Sequence, residues 1–468
     1  MKSEDIRPST PEQEQIIENK ALSIGEAILP VIILVAMLAY NIFIFGDAAL
    51  SGSNQFILLI GAAVAAIIGF KNKVTYAQMM EEVAHNVKST AGAILILLMV
   101  GALSGTWLLS GIIPSMIYYG LQLLTPTIFL GASLVICSVI SLATGSSWST
   151  SATVGIALIG IGDTMGINPG MTAGAVISGA YFGDKISPLS DTTNLASAMA
   201  GAGLFDHIKY MLITTIPSML IALVVFIIIG FNISSSGTPD ITDKLSAIDH
   251  AFHITPWLFL VPALVIYMIF RKTEPLIALL AGALLGGVAA IIFQPELVTK
   301  VAGATILDFN TAYKGVMTAL TTKIQIETSN AALNDLFSAK GMEGMMGTIW
   351  LILCAMVFGG VMDAIGALAR ISQALLNMFH TVFGLFASTV LSCLAINVTA
   401  SDQYLAIVIP GKMYKKAFED KNLHPVNLSR TLEDTGTVTS VLIPWNTCGA
   451  YNAGVLGVPT VDYAFYAI

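Results

Sequence analysis

The sequence predicts an all-α polytopic membrane protein that carries an inverted repeat. Composition is the first reason, because 55% of the 468 residues are hydrophobic and 11% are charged, whereas a soluble domain carries about 25% charged residues. The second is a series of apolar runs, many near the length of about 20 residues that spans a bilayer as a helix. The third is a pair of polar clusters inside apolar sequence, which begin at Thr144 and Thr399. Polar groups are costly in hydrocarbon and usually serve function there.

The apolar runs divide the chain into five predicted regions with about 10–13 transmembrane or re-entrant segments, two hairpins and two broken helices. Residues 1–21 are polar and lack the apolar core of a signal peptide, so run 24–45 is predicted to be a retained first helix. The regions are a polar cytoplasmic N-terminus (1–21), N-terminal helices with a cytoplasmic loop (22–90), repeat 1 (91–231), linking helices and loops (232–345) and repeat 2 (346–468).

Matching stretches in one register indicate the duplication. An offset of 255 residues sets Gly111 opposite Gly366 and Thr144 opposite Thr399, and an offset of 256 sets Pro188 opposite Pro444. Three matches in the same order favour an internal repeat. In this alignment Asp402 replaces Ser147, Asn446 and Thr447 replace Ser190 and Asp191, and Asp363 stands opposite Leu108.

Lysine placement predicts that the two copies are inverted relative to each other. The N-terminal loop 71–90 carries Lys71, Lys73 and Lys88, which places it in the cytoplasm. Loop 412–424 carries four lysines, whereas its counterpart 157–169 has none. Corresponding loops therefore differ in the charge that sets topology. The lysines of the long loop 295–345, placed outside, run against the rule, although long loops weigh less.

The first polar cluster, Thr144–Ser151, joins the apolar segments 126–144 and 150–162. As the tip of a hairpin at membrane depth it would turn hydroxyls such as those of Ser146 and Ser147 toward a buried cavity. The alternative is an ordinary loop, or hydroxyls bonded back onto their own helix.

The second polar stretch lies inside the apolar segment 170–202, which is too long for one crossing. Pro188 removes a helical hydrogen bond there, so the sequence predicts a break between two half-helices. Unwound carbonyls would join the side chains of the break as hard oxygen ligands for a cation of the Na⁺ kind. Those side chains are Ser190, Asp191, Thr192 and Asn194. The alternative is a surface loop between two short helices.

Asp184 and Lys185 precede this break and point about 100° apart if helical. An aspartate within the membrane is by default a proton or cation site, so Asp184 is a candidate proton carrier. A structural ion pair with Lys185 is the competing interpretation, and Lys185 is a secondary site candidate.

The second copy carries different polar groups at the corresponding places. Its hairpin tip offers Thr399, Ser401 and Asp402, and its broken segment offers Asn446 and Thr447. Secondary candidates are Asp363, in an apolar helix, and Glu433 and Asp434, which begin the second broken segment. The last two are predicted either at the cytoplasmic mouth or as acids that stabilise a helix N-terminus.

Three strings resemble the NhaC-type Na⁺/H⁺ antiporter family of the ion-transporter superfamily. They are Gly145–Thr150, Gly179–Asn194 and Pro444–Ala450. The resemblance covers most of the chain from about residue 24. It implies inverted repeats, paired re-entrant hairpins, two broken helices and electrochemical exchange of Na⁺ for H⁺. Relatives in the family exchange malate for lactate with Na⁺ and H⁺ coupling.

The function expected is therefore secondary active exchange of Na⁺ for H⁺ by alternating access, with Na⁺- and H⁺-coupled exchange of small carboxylic acids as the alternative. A carboxylate can hold either ion, so the two compete. Asp191 and Asp402 are the predicted Na⁺ ligands, and together with Asp184 they are the candidate proton carriers. A channel is disfavoured because no stretch repeats as a selectivity filter.

The partners expected are Na⁺, H⁺ and the lipid bilayer, with malate and lactate as alternative cargo, a homodimer as candidate assembly and no nucleic acid. We expect no enzyme activity and no cofactor, since no nucleotide or metal motif is present. The four cysteines lie in apolar stretches without paired spacing and are interpreted as small core residues. The predicted location is the bacterial inner (cytoplasmic) membrane, with the N-terminus in the cytoplasm.

Overall fold

The computed structural model describes residues 22–45, 52–232, 241–271, 273–329, 334, 337–378 and 381–468. This part of the chain is helical apart from one pair of two-residue strands. Seven of its helices are long and apolar enough to cross a membrane, and the number reaches nine if each of two bent pairs is one span. These features confirm an all-α polytopic membrane protein. The N-terminal region 1–21 lies outside the described residues.

Three helices precede the first repeat. They are α1 (Ile24–Phe45), α2 (Ser53–Lys71) and α3 (Tyr76–Ser89). The prediction of a loop over 71–90 is wrong, because α3 fills most of it and begins with a capping box between Thr75 and Gln78. A continuous apolar run does not mark such a helix, since half of its 14 residues are polar.

The first copy runs from α4 to α11. Its elements are α4 (Ala91–Leu109), α5 (Ile112–Leu123), α6 (Pro126–Thr144), α7 (Ser147–Thr150), a π-helical turn (Ser151–Gly155), α8 (Ile156–Thr164), α9 (Pro169–Lys185), α10 (Asp191–Ala200) and α11 (Leu204–Asn232). The predicted break in 170–202 is confirmed, since α9 ends at Lys185 and α10 begins at Asp191.

The linking region contains more structure than the predicted long loop. Its elements are α12 (Ile241–Ala251), a 3₁₀ turn (Pro256–Phe259), α13 (Leu260–Phe270), α14 (Pro275–Phe293), α15 (Pro295–Ala302), α16 (Phe309–Thr321), β1 (Ile324–Gln325) and β2 (Ser338–Ala339). The two strands are antiparallel, with Ile324 opposite Ala339.

The second copy repeats the order of the first. Its elements are a 3₁₀ turn (Glu343–Met345), α17 (Met346–Ala364), α18 (Ala367–Met378), α19 (Val382–Thr399), α20 (Gln403–Asp420), α21 (Pro425–Leu432), a π-helical turn (Glu433–Thr437), a 3₁₀ turn (Ser440–Leu442), α22 (Thr447–Leu456) and α23 (Thr460–Tyr463). The predicted loop 412–424 is mostly helix, because α20 continues past the apolar run to Asp420.

Left-handed residues mark corresponding points in the two copies. Gly111 (φ 80°) and Gly366 (φ 74°) follow α4 and α17, and Gly201 (φ 76°) and Gly457 (φ 68°) follow α10 and α22. In the hairpin tips Gly145 (φ 69°) corresponds to Ser401 (φ 60°).

The offset is 255 at the first of these pairs and 256 at the others, so one extra residue lies between them in the second copy. The predicted match of Asp402 with Ser147 is therefore wrong by one residue. Asp402 corresponds to Ser146, and both cap the helix that follows.

Helix α9 lies in close contact with α6 and so reaches the first hairpin tip. A Cβ on Gly179 would stand 2.2 Å from the Leu134 carbonyl oxygen, and one on Gly183 would stand 2.4 Å from that of Ser138. Small residues at such interfaces let helix backbones approach closely. The described cysteines Cys137, Cys354, Cys393 and Cys448 are all buried free thiols.

Candidate ion site between the two copies

The tip of the first hairpin contacts a buried carboxylate, that of Asp184 at the end of α9. Gly145 ends α6 in the left-handed region, and Ser146 caps α7 by accepting the Ser149 N–H at 3.2 Å. This turn directs Ser147 at Asp184, whose Oδ2 accepts from the Ser147 N–H at 3.1 Å and from its hydroxyl at 2.7 Å. Asp184 is 5% exposed, and its Oδ1 has no hydrogen-bond partner among the described residues.

The break after Lys185 is held by its own side chains. Ser190 caps α10 by accepting the Thr193 N–H at 3.3 Å, and Thr193 donates its hydroxyl to the Lys185 carbonyl at 3.1 Å. Asn194 donates to the carbonyls of Pro188 and Ser190 at 3.0 and 2.6 Å. Asn194 and Ser190, predicted as cation ligands, are thus engaged in shaping the turn.

Thr192 connects the first broken helix to the second copy. Its hydroxyl donates to Glu433 Oε1 at 3.0 Å and lies 3.1 Å from the Ser190 hydroxyl. Glu433 is fully buried, and its Oε2 lacks a partner within the described part of the chain.

The predicted role of Glu433 as an acid at a helix N-terminus is wrong, because its helix starts at Pro425. Glu433 opens a π-helical turn that continues that helix, so it lies well past the helix start, and its side chain is buried. π-helical turns are frequent at functional sites.

Lys185 pairs with Asp434 across the two copies and not with its neighbour Asp184. The two side chains are 12% and 25% exposed, and Arg430 lies 3.8 Å from the second oxygen of Asp434. The predicted alternative of an Asp184–Lys185 ion pair is therefore not what the structure contains.

A cleft of about 310 Å³ runs beside this ion pair, between α9, α11 and the second broken helix. Its wall is mostly apolar, and its charged side chains are Lys185 and Asp434.

Asp191 lies at the start of α10 and is exposed. Its Oδ2 accepts the Tyr404 hydroxyl at 2.6 Å, and its Oδ1 accepts the Thr192 N–H at 2.9 Å. Sequence reasoning missed Tyr404, although its place two residues after Asp402 in a hairpin tip was a usable signal.

The second hairpin tip uses its carboxylate as a helix cap. Asp402 is buried, and its Oδ1 accepts the N–H groups of Tyr404 and Leu405 at 2.9 and 3.0 Å. The tip also contacts the second half-helix, because the Ser401 carbonyl accepts the Thr447 N–H at 2.9 Å.

The remaining candidates of the second copy support the backbone. Asn446 caps α22 by accepting the Cys448 N–H at 3.1 Å, and it donates to the Asn397 carbonyl at 3.1 Å. Thr399 donates to the carbonyl of Ala395 at 2.7 Å, as in the alternative of a hydroxyl bonded to its own helix. Asp363 is half-buried near the end of α17.

Further contacts between the copies were not predicted. The Trp148 and Tyr451 rings stack with centroids 4.0 Å apart, and Ser151 donates to Asn452 at 2.8 Å. Asn452 is a buried amide within an apolar helix, which is the signal that sequence reasoning passed over.

The assembled cluster is one of carboxylates and hydroxyls. Asp184, Glu433, Ser147 and Thr192 offer oxygen atoms alone, which suits a hard cation or a proton. Over the described residues no three His, Cys, Asp or Glu side chains converge as a metal centre would require.

Comparison with known proteins gives consistent matches along the chain. The Na⁺/H⁺ antiporter family matches residues 179–468. The Na⁺/H⁺ antiporter NhaC of Alkalihalophilus pseudofirmus is 34% identical over 451 residues, which cover 96% of this chain and 93% of the relative. NhaC of Bacillus subtilis is 36% identical, with coverage of 81% and 82%. The malate-2H⁺/Na⁺-lactate antiporter of Bacillus subtilis is 34% identical, with coverage of 87% and 85%.

Proposed function

The chain belongs to the Na⁺/H⁺ antiporter family, and from this premise we propose that it exchanges Na⁺ for H⁺ by alternating access, with Asp184 as an ion-carrying group. The observation that supports this role is the buried Asp184 carboxylate, with one oxygen held by Ser147 and the other without a partner among the described residues. A lone carboxylate away from water is costly unless a proton or a cation neutralises it. H⁺ and Na⁺ therefore compete for the same group.

The placement of Asp184 suits alternating access. It sits where a hairpin tip meets the break between two half-helices, which is where transporters of this architecture bind ions. Ser147 belongs to the tip and Asp184 to the broken helix, so a shift of one against the other changes what Oδ2 receives. Such a shift is a route by which the affinity for Na⁺ differs between the two states.

In this proposal Asp191 and Asp402, the Na⁺ ligands predicted from the sequence, have roles other than direct Na⁺ binding. We assign exposed Asp191, bonded to Tyr404, to the approach by which a cation reaches Asp184. Asp402 already has one oxygen engaged in capping α20.

A second candidate function is exchange of small carboxylic acids with Na⁺ and H⁺ coupling. The cleft has a mostly apolar wall and an ammonium group, that of Lys185, which a small organic anion would meet if it displaced Asp434. A relative of 34% identity carries that activity in its name. Uptake of labelled malate and lactate into proteoliposomes distinguishes the two functions.

Proteoliposomes with an internal pH probe test the Na⁺/H⁺ proposal. We expect an imposed Na⁺ gradient to drive proton movement, and gradients of Li⁺ and K⁺ are compared with it. Asp184→Asn should abolish the signal, because an amide carries neither Na⁺ nor H⁺. Glu419→Gln, an exposed acid at the end of α20, is the matched control and should leave exchange unchanged. Wild-type exchange by Asp184→Asn would remove Asp184 from the mechanism.

The chain is a multi-pass membrane protein. We propose that it resides in a bacterial cytoplasmic membrane with its N-terminus inside, on the strength of the lysines at 71–90. A homodimer stays a prediction.

A further inference from the structure

We propose that Glu433 is the second carboxylate of the ion site, so that one cation or proton is held between Asp184 of the first copy and Glu433 of the second. This inference rests on the proposed Na⁺/H⁺ exchange. It adds a ligand from the other half of the molecule, at the junction of the two repeats.

The surroundings of Glu433 argue against a purely structural role. The side chain is 0% exposed. Oε1 accepts the Thr192 hydroxyl at 3.0 Å, whereas Oε2 has no hydrogen-bond partner in the described ranges. A buried acid that served only to hold Thr192 would be as well provided by glutamine, which brings no charge into the interior.

The two acids lie on one continuous chain of polar contacts. Asp184 interacts electrostatically with Glu433 and has the Ser190 hydroxyl beside it. The Ser190 hydroxyl lies 3.1 Å from that of Thr192, which bonds Glu433. Each acid therefore has one oxygen that accepts a hydroxyl, from Ser147 or Thr192, and a second oxygen without a hydrogen bond in the described ranges. The hydroxyls of Ser190 and Thr437 lie close to Asp184 and Glu433 respectively.

The neighbouring charges leave this pair uncompensated. Lys185 is within electrostatic range of Glu433, but its ammonium is bonded to Asp434, which Arg430 also approaches at 3.8 Å. Other titratable groups nearby are Asp191, which adds negative charge, Tyr181, which also interacts with Asp184, and His207, whose Nδ1 is 2.8 Å from the Ser429 hydroxyl. Two buried carboxylates without a cation of their own need H⁺ or a metal cation to neutralise them, and one cation bound between them would serve both.

The hydroxyls complete an oxygen cage of the kind Na⁺ accepts. Ser147 and Thr192 each keep lone pairs while donating to a carboxylate, and the carbonyls at the end of α9 lie next to the break. Because Ser147 and Asp184 come from one copy and Glu433 from the other, the cage is complete only while the copies keep this relative position.

The test is Na⁺ binding to the purified full-length protein in detergent. The thermal unfolding midpoint is measured in NaCl and compared with that in choline chloride at equal ionic strength. A ligand that binds the folded state raises that midpoint saturably. We expect the wild type and Glu419→Gln to saturate at the same Na⁺ concentration. In Glu433→Gln the half-saturating Na⁺ concentration should rise by about tenfold or more, since even the groups that support metal ligands contribute about 10–100-fold to affinity. Glutamine keeps the acceptor for Thr192, so a structural contact alone predicts no change.

The outcomes separate this inference from the proposed function. Wild-type half-saturation by Glu433→Gln, alongside loss in Asp184→Asn, overturns the shared site and leaves exchange at Asp184 intact. If the wild type binds Na⁺ through both acids but moves no protons in proteoliposomes, the site stands and the exchange proposal falls. If Glu433→Gln does not accumulate, Thr192→Val and Glu433→Asp replace it, and wild-type Na⁺ affinity in both counts against the proposal.

Discussion

Asp184, Asp191 and Asp402 are chemically identical side chains that their partners direct to different tasks. Asp184 keeps one oxygen without a described partner, Asp191 is exposed and bonded to a tyrosine, and Asp402 caps a helix with two backbone N–H groups. A carboxylate occupied by a helix end is stabilised in place and has less capacity for a transported ion. Residue type therefore identifies the candidate ion ligands, and the oxygen atoms without a hydrogen-bond partner indicate which candidate is available to bind an ion.

Substitution of Asp402 separates capping from ion binding. Asparagine caps helices about as well as aspartate, so Asp402→Asn is expected to retain Na⁺-driven proton movement, whereas Asp402→Ala loses the cap at a cost of about 1 kcal/mol of stability. Thermal unfolding together with the proteoliposome assay measures both. Complete loss of exchange in Asp402→Asn with normal stability would restore Asp402 as an ion ligand.

At the scale of the element, the two hairpin tips use one backbone conformation with different residues. Gly145 and Ser401 both have positive φ, but a Cβ on Gly145 would stand 2.6 Å from the Leu189 backbone carbon. The first tip therefore requires glycine for space as well as for conformation. Ser401 carries a side chain at the corresponding place, so the second tip accommodates one.

Gly145→Ala is expected to displace the first tip, separate Ser147 from Asp184 and lower the rate of exchange. Gly303→Ala is the matched control, because Gly303 has φ +67° and a Cβ added there would meet no described atom within 4 Å. The control should cost only the left-handed penalty of about 1–2 kcal/mol. Equal activity and equal destabilisation of the two variants would show that the tip has no special need for glycine.

At the scale of the whole molecule, the copies are joined by polar contacts near the two breaks. These include Thr192–Glu433, Tyr404–Asp191, Lys185–Asp434, Ser151–Asn452 and His207–Ser429. All five lie between residues more than 200 positions apart in sequence. These contacts hold the two repeats in the relative position seen in the structure.

Lys185 and Asp434 are expected to stabilise this one arrangement as a coupled pair. In a double-mutant cycle of Lys185→Met, Asp434→Asn and both together, the second substitution should cost less once the first is made, with a coupling of about 0.5–3 kcal/mol. Thermal unfolding gives the coupling, and the exchange rate shows whether loosening the pair changes turnover. Strictly additive effects would mean that the pair contributes nothing to the junction.

How far the sequence predicts this molecule depends on the kind of signal each element carries. The apolar runs and Pro188 predicted the spans and the first broken helix, because burial in hydrocarbon and the missing proline N–H act locally. Helix α3 and the end of α20 were missed because charged, amphipathic helices lack an apolar run.

The site was predicted in part, for a similar reason. Asp184 and Ser147 were nominated from polar residues inside apolar sequence, but the hydrogen-bond partner of Glu433 is Thr192, 241 positions away. No local pattern contains that information. Asp402 and Asn446 look like ligands in the sequence, and only the backbone around them reveals that they cap helices.

The burial of Cys137, Cys354, Cys393 and Cys448 has a practical consequence for watching the protein work. A thiol packed away from water is largely protonated and sterically shielded, so it reacts slowly with water-borne maleimides. The native chain is therefore expected to show little background labelling by maleimides. A Leu189→Cys substitution, at an exposed position in the first break, would then report by its labelling rate whether Na⁺ opens or closes that region to water, with the unsubstituted chain as the blank.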